Sequence, residues 1–360
     1  MALEIELPFE MEGKLIKELV LTALLGSGKY RLGLEIINNK VKIKNVEYFK
    51  DVLSYSFSLH KYNNEIQKII NNHKGNYKGV AEEYIKYFDP NVTEKNKIRN
   101  TIDNIIKNIM SKDNTTKTQL NIKLFPIFTA ELLEYERKFG GQGSRKADLE
   151  VNILVFALGM LALARYQLVN FEIVKNKKRK EKDKYYVIAL IDTTLQSELC
   201  KPSINWSMLK KIKPIIRNQQ LSRLGLIFLS SMVLDKSSCQ QLVVVKELIS
   251  QGAVRRADIV EKMSYSSMKP LMHFWNLIDQ ITKVKILKLF DQNKGVDTFN
   301  RFSNYIFEGI SGVLSPSEVI YFIAKDTFLK DKNIKEINSY VLKNIRNALE
   351  VLTHEKRYSA

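Results

Sequence analysis

Two cysteines, Cys200 and Cys239, are all that this 360-residue chain has. That is too few for a disulfide framework and points to a reducing compartment. Long apolar runs are also missing. The longest, Ile153 to Ala164, has twelve residues, short of the ~18 that a membrane span needs, and reads as a buried core helix. The opening stretch, Met1 to Glu10, carries Glu4, Glu6 and Glu10 and no basic residue. A signal peptide has the opposite charge, so a soluble, cytoplasmic protein is expected. The four histidines, His60, His73, His273 and His354, stand far apart, and neither cysteine lies in a CxxC, so no metal site is expected. No Gly-x-Ser-x-Gly elbow occurs. Leu25-Gly-Ser-Gly-Lys29 imitates a phosphate-binding loop but has Ala23 where the first glycine belongs. Tyr30 stands where Ser or Thr would meet magnesium, which excludes a P-loop. No catalytic residue and no cofactor is expected.

The scarcest class is acid. Asp and Glu number 39 against 57 Lys and Arg, a net charge of +18 with a pI near 9.5. A field of that sign attracts polyanions, and nucleic acid is the commonest inside cells. Apolar residues at 45% and charged residues at 27% are ordinary for a globular chain and exclude wholesale disorder. The length suits about two domains.

The patterning predicts an α+β fold. A mixed α/β N-terminal part with antiparallel hairpins spans 1–200, and an all-helical part, a bundle, spans 201–360. Leu3, Ile5, Leu7 and Phe9 alternate with polar residues as a half-buried strand. Lys14 to Leu25 reads as a helix. Tyr30 to Ile37 and Val41 to Val46 read as strands joined at Asn38-Asn39-Lys40, where asparagine tolerates left-handed backbone. Helices follow over 62–72, 77–88 and 94–110, then a strand over 117–124, a helix over 147–166, and strands over 168–174 and 185–192. Beyond Pro202 helices are expected over 207–217, 221–234, 240–250, 257–263, 268–290, 299–307, 317–328 and 334–352. Ser315-Pro316-Ser317-Glu318 is a helix start, with Pro in the first turn and Glu three residues after Ser.

Three basic features follow. Lys175 to Lys184 holds seven basic and two acidic residues between two apolar strands. It is expected to project as a charged finger whose Lys177, Lys178, Arg179 and Lys180 reach phosphates. Its bland alternative is a solvated turn. The interval between Glu198 and Asp235 has no acid at all, yet holds Lys210, Lys211, Arg217, Trp206, Gln219 and Gln220. Cations there can hold a backbone and amides can read base edges; an ordinary helix pair neutralised from elsewhere is the alternative. Gly140-Gly-Gln-Gly-Ser-Arg145-Lys146 combines turning glycines with two cations before a helix, a place for a phosphate or else a plain linker. Two further readings remain. Helices over 240–250, 255–263 and 266–278 would make a helix-turn-helix transcription regulator. Asp148, Glu172 and Asp192 could assemble a metal-dependent nuclease site, without the Glu-x-Lys such sites use.

The opening strand Leu3 to Phe9, the Gly140–Lys146 loop, the apolar helix Val151 to Tyr166 and the strand Tyr185 to Asp192 together resemble the large subunit of archaeal type I-A CRISPR interference (Cascade) complexes. The resemblance is diffuse and covers most of the chain. It implies a subunit at one end of a protein–crRNA assembly that recognises the protospacer-adjacent motif in duplex DNA. It implies help in opening the strands and in recruiting the helicase–nuclease. The implied partners are crRNA, target DNA, and the backbone, crRNA 5′-end and small subunits, with no membrane. In such a division of labour guide pairing reads sequence, while protein reads the motif and the backbones.

Overall fold

The computed structural model describes residues 2–7, 15–37, 40–111, 120–130, 150–192, 203–218, 221–234, 240–251, 253–291, 296–329 and 337–359. The fold is α+β, and the chain divides into two compact units. The first is built from Met1–Gln167, Glu172–Pro202 and Val243–Lys262. The second is built from Leu168–Phe171, Ser203–Leu242 and Met263–Ala360.

The first unit opens with strand β1 (Leu3–Glu6), helices α1 (Leu15–Gly26) and α2 (Lys29–Leu32), and strands β2 (Leu34–Ile37) and β3 (Lys40–Ile43). The three strands form an antiparallel sheet in the order β1-β3-β2, with Leu3 and Leu34 both opposite Ile43. Alternation of Leu3 and Ile5 with glutamates puts one face of β1 inside, as the sequence requires. The strand expected from Tyr30 begins only at Leu34. Lys29–Leu32 makes a helical turn that Gly33 closes in the left-handed region at φ 58°.

Helix α3 (Val46–Ser58) had no counterpart in the pattern reading. Asn45 caps it by accepting the Tyr48 N–H at 3.1 Å, and Phe49, Leu53 and Phe57 bury one stripe. Helices α4 (His60–His73), α5 (Lys78–Tyr87) and α6 (Lys95–Met110) follow as expected. A short pair, β4 (Asn121–Lys123) and β5 (Glu150–Asn152), precedes α7 (Ile153–Tyr166). Almost every α7 side chain is buried, which is why its sequence is apolar all round. Phe156 of α7 meets Tyr84, Phe125 and Phe128 at ring distances of 5.3–5.4 Å.

A four-stranded sheet runs in the order β6-β7-β8-β9, from β6 (Gln167–Asn176), β7 (Glu181–Ile191), β8 (Gln240–Ser250) and β9 (Ala253–Met263). Here an expectation fails. Residues 240–250 and 257–263 were expected as helices within an all-helical C-terminal part, and they form a β-hairpin instead. A short apolar run such as Leu242 to Val245 fits helix and strand equally by periodicity. The β-branched Val243-Val244-Val245 and the β7 edge waiting beside it decide for strand. The helix-turn-helix over 240–278 falls with them, since two of its three helices are strands.

The second unit holds helices α8 (Trp206–Asn218), α9 (Arg223–Ser231), α10 (Tyr265–Leu277), α11 (Gln280–Asp291), α12 (Val296–Ser311), α13 (Pro316–Leu329) and α14 (Ser339–Ser359). Its core centres on Phe228, whose ring lies 4.6 Å from Trp275 and 5.9 Å from Phe302. Trp275 donates its indole N–H to Ser231 at 2.9 Å. The capping box at α13 is present in full. Glu318 N–H donates to Ser315 Oγ at 3.3 Å, and Ser315 N–H donates to Glu318 Oε2 at 2.8 Å. Among the described residues no helix is long and apolar enough to cross a membrane.

Candidate nucleic-acid interface

The β6–β7 hairpin builds the expected finger. Its turn is held by Asn176, whose side-chain oxygen accepts the Arg179 N–H at 3.2 Å, and by Lys180 N–H donating to Lys177 O at 3.3 Å. Lys180 sits in the left-handed region at φ 51°. The ten-residue basic stretch then divides in two. On the stalk, Lys175 Nζ lies 2.9 Å from Asp183 Oδ2, Lys246 of β8 lies 3.1 Å from the same oxygen, and Lys182 lies 2.7 Å from Glu172. The hydrogen bond that the Lys175 ammonium donates to Asp183 raises its pKa above the ordinary lysine value. At the tip, Lys177, Lys178, Arg179 and Lys180 are all exposed and have no acidic partner among the described residues. Stalk charge is spent inside the protein; tip charge faces solvent.

The β8–β9 turn lies beside this tip. Lys178, Arg179, Lys180 and Glu181 share one open recess with Ser250 and Gln251. Gln251 also adopts positive φ, 54°, and accepts a long 3.4 Å hydrogen bond from Arg255 Nη2. Arg255 thus stands near the tip cations as a further candidate, one that pattern reading placed on a helix. The signal for it was the break in apolar patterning at the sequence pair 251–252, directly after the β-branched Val243-Val244-Val245 run and Ile249.

Beneath the finger lies a buried polar cluster. Glu247 of β8, with 0% of its side chain exposed, has Oε1 at 2.7 Å from His73 Nε2 of α4, and Oε2 accepts the Tyr186 hydroxyl of β7 at 2.6 Å. His73 Nδ1 lies 2.8 Å from the Ile69 carbonyl, which can only accept, so Nδ1 carries a proton. One further proton therefore occupies the Nε2–Oε1 bond. His73 stacks on Phe125 at 4.5 Å, and Asn76 donates to the Val254 carbonyl at 3.2 Å. Burial pushes the Tyr186 hydroxyl well above its ordinary pKa and pulls Lys184 below its own. Histidine and glutamate here are 174 residues apart in sequence, a separation that leaves no local signal. The cluster anchors α4, β7 and β8 to one another and so fixes the hairpins above it.

In the second unit, α8 buries Met208, Leu209, Ile212, Ile215 and Ile216. The opposite side carries exposed Lys210, Lys211 and Arg217 beside Trp206, which is 48% exposed. The three cations have no acidic partner among the described residues. Pro214 interrupts the helical hydrogen bonds on this outward side, where an unpaired carbonyl can reach water. Arg145, Lys146, Gln219 and Gln220 lie outside the described residues, as do the Gly140–Lys146 loop and both cysteines. Of the carboxylates considered for a nuclease, Asp148 also lies outside, Glu172 pairs with Lys182, and Asp192 is buried. Among the described residues no group of three or more His, Cys, Asp or Glu side chains could hold a metal.

No family model matches the chain. It is 34% identical over 355 residues to a protein of Saccharolobus solfataricus named "Putative CRISPR-associated protein SSO1401", an alignment that covers 97% of this chain and 96% of the other. Identity at that level over nearly the whole of both chains means one shared fold and ancestry, so the chain belongs to the family of this CRISPR-associated protein.

Proposed function

We propose that this chain is the non-catalytic large subunit of a CRISPR RNA-guided DNA surveillance complex. In this reading it binds the duplex that carries the protospacer-adjacent motif, holds nucleic-acid backbones, and helps recruit the helicase–nuclease. Its partners are crRNA, target DNA and the backbone, crRNA 5′-end and small subunits. The observation that carries it is the division of the finger, with paired cations on the stalk and, at the tip, four exposed ones that have no acidic partner among the described residues. A merely soluble surface has no reason to concentrate unopposed charge on two adjoining turns. A phosphodiester backbone does, because each neutralised phosphate releases counterions. The exposed face of α8 adds a second strip of cations with an aromatic neighbour, the combination that tracks a nucleic-acid strand.

The test is the salt dependence of duplex binding by the full-length protein. Replacing Lys177, Lys178, Arg179 and Lys180 with alanine is expected to reduce the slope of log K against log salt by up to about 3.6, about 0.9 per phosphate lost. Replacing Lys175 and Lys182, which are already paired, is expected to change the slope far less. An unchanged slope in the fourfold variant, or an equal effect from the stalk pair, overturns the assignment.

A further inference from the structure

Helix α4 ends at His73, whose Nε2 lies 2.7 Å from Glu247 of β8. Gln251 stands only four residues beyond Glu247, a reach of at most ~13 Å at ~3.3 Å per residue. The connection from α4 to α5, residues 74–77, leaves its helix at this level and is held in place. Tyr77 N–H donates to the His73 carbonyl at 3.0 Å, which closes a tight turn, and the Tyr77 ring meets Phe125 edge-on at 6.3 Å. The Asn76 side-chain amide donates to the Val254 carbonyl of β9 at 3.2 Å. Val254 directly precedes Arg255, whose guanidinium reaches Gln251 at 3.4 Å, and Gln251 shares the open recess with Lys178, Arg179 and Lys180. The α4–α5 connection thus adjoins the β8–β9 turn on which the finger tip also borders.

Charge distinguishes these three turns. Residues 74–78, 177–181 and 250–258 hold eight cations against two acids, where the whole chain has 57 against 39. Of the two acids, Asp258 is engaged by Arg256 at 2.8 Å, and Glu181 lines the recess with the tip. Lys74 and Lys78 are both exposed. Lys74 has no acidic partner among the described residues. Lys78 meets Glu82 at 3.6 Å, with both side chains more than half exposed, and a pair of that kind is worth little and opens toward a stronger anion.

We propose that the α4–α5 connection is a third arm of the nucleic-acid surface: Lys74 and Lys78 meet phosphates of the same duplex whose neighbouring phosphates the finger tip holds. A duplex backbone is a regular row of charges, so cations on adjoining turns engage successive phosphates, and each contact releases further counterions. The inference rests on the proposed reading of the finger and extends that surface to residues that no charge run marks, since Gly75, Asn76 and Tyr77 separate the two lysines.

The experiment measures duplex binding by fluorescence anisotropy with full-length protein, between about 50 and 200 mM salt. The double variant Lys74→Ala, Lys78→Ala is expected to reduce the slope of log K against log salt by up to about 1.8, about 0.9 per phosphate lost. The double variant Lys86→Ala, Lys97→Ala removes the same charge from exposed lysines paired within their own helix turns, with Glu83 at 2.6 Å and Glu94 at 2.8 Å, and is expected to leave the slope unchanged. A second readout needs no variant. Amines of the parent protein are acetylated with and without duplex and read by mass spectrometry, and the duplex is expected to shield Lys74 and Lys78 and not Lys86. The proposal is overturned if the Lys74 and Lys78 variant keeps the parental slope, if the control pair lowers the slope as much, or if the duplex leaves the two lysines as reactive as before. It is also overturned if polyglutamate shields them as well as duplex does, which would make this a surface for an acidic protein. The fourfold tip variant runs alongside. A slope that falls in the tip variant and holds in the loop variant removes this inference alone, whereas a slope that holds in both removes the reading of the finger with it.

Discussion

Glu247→Leu offers the sharpest test of how the first unit is held together. Glu247 is fully enclosed and joins three elements through the His73 imidazole at 2.7 Å and the Tyr186 hydroxyl at 2.6 Å. Leucine has similar bulk and no polar atom, so the substitution strands a buried ring nitrogen and a buried hydroxyl together. Removing one partner of a buried charged pair costs about 3–5 kcal/mol, mostly as the desolvation of what is left behind. For a folding unit of about 150–250 residues that corresponds to a fall of roughly 6–20 °C in melting temperature. Glu247→Gln separates hydrogen bonding from charge. A side-chain amide can donate to Nε2 while its oxygen accepts from Tyr186, so both bonds survive. The pair stays uncharged overall, since the amide brings the donor proton that the parent holds in the Nε2–Oε1 bond. Its penalty is therefore expected to be smaller than that of leucine. Calorimetric melts and urea titrations of the three proteins, with His73→Leu and the double variant closing a cycle, measure the coupling. A Glu247→Leu protein within about 1 kcal/mol of the parent would refute the view that this cluster anchors the hairpins.

Gly159 on α7 faces Ile16 of α1 so closely that an added methyl carbon would fall 2.3 Å from Ile16 Cδ1. Glycine to alanine inside a helix ordinarily gains about 1 kcal/mol, but overpacking costs about 1–3 kcal/mol. Gly159→Ala is expected to destabilise in urea titration, with Ile16→Val restoring part of the loss. Trp275→Phe leaves the buried Ser231 hydroxyl without its indole donor and is expected to cost about 1–3 kcal/mol, read from chemical denaturation of the second unit. Asp279 accepts the Thr282 N–H at 2.6 Å and the Tyr340 hydroxyl at 2.6 Å, and those bonds, the backbone one first, lower its pKa below the ordinary 3.8. A lowered folded pKa stabilises above the unfolded value, and the gain disappears as pH falls through the folded one. Asp279→Ala should therefore cost about 1 kcal/mol at pH 7 and progressively less as acid protonates the parent, a convergence of urea midpoints that would fail if the bonds were absent.

Much of this architecture was legible because local chemistry and tertiary environment agree. Alternation in Leu3–Glu6, the apolar run of α7 and the Ser315–Glu318 box each carry their own instruction and appear in the fold, although the helix expected from 147 begins only at Ile153, after residues 150–152 have paired as β5. The finger was legible for the same reason, since a charged turn between two apolar runs has few other ways to fold. What stayed hidden depends on distant neighbours. Residues 240–263 carry apolar spacings compatible with either state until a strand edge is supplied by residues 181–191. The Glu247–His73 pairing exists only once that hairpin has found its place. Of the candidate interface, the tip cations could be named from sequence; that those at 175 and 182 are internally neutralised, and that Arg255 stands near them, could not.

The way the chain leaves the first unit at residue 202 and re-enters it at 243 has a practical corollary for anyone cutting the molecule in two. A fragment ending near 200 would keep β7 but lose β8, exposing a long row of open amide and carbonyl groups along an apolar strand, an invitation to aggregate. The remaining fragment would carry β8 and β9 with nothing to dock against. Neither piece is a natural folding module, so dissection must follow the spatial units, with residues 243–262 tethered back to the N-terminal half.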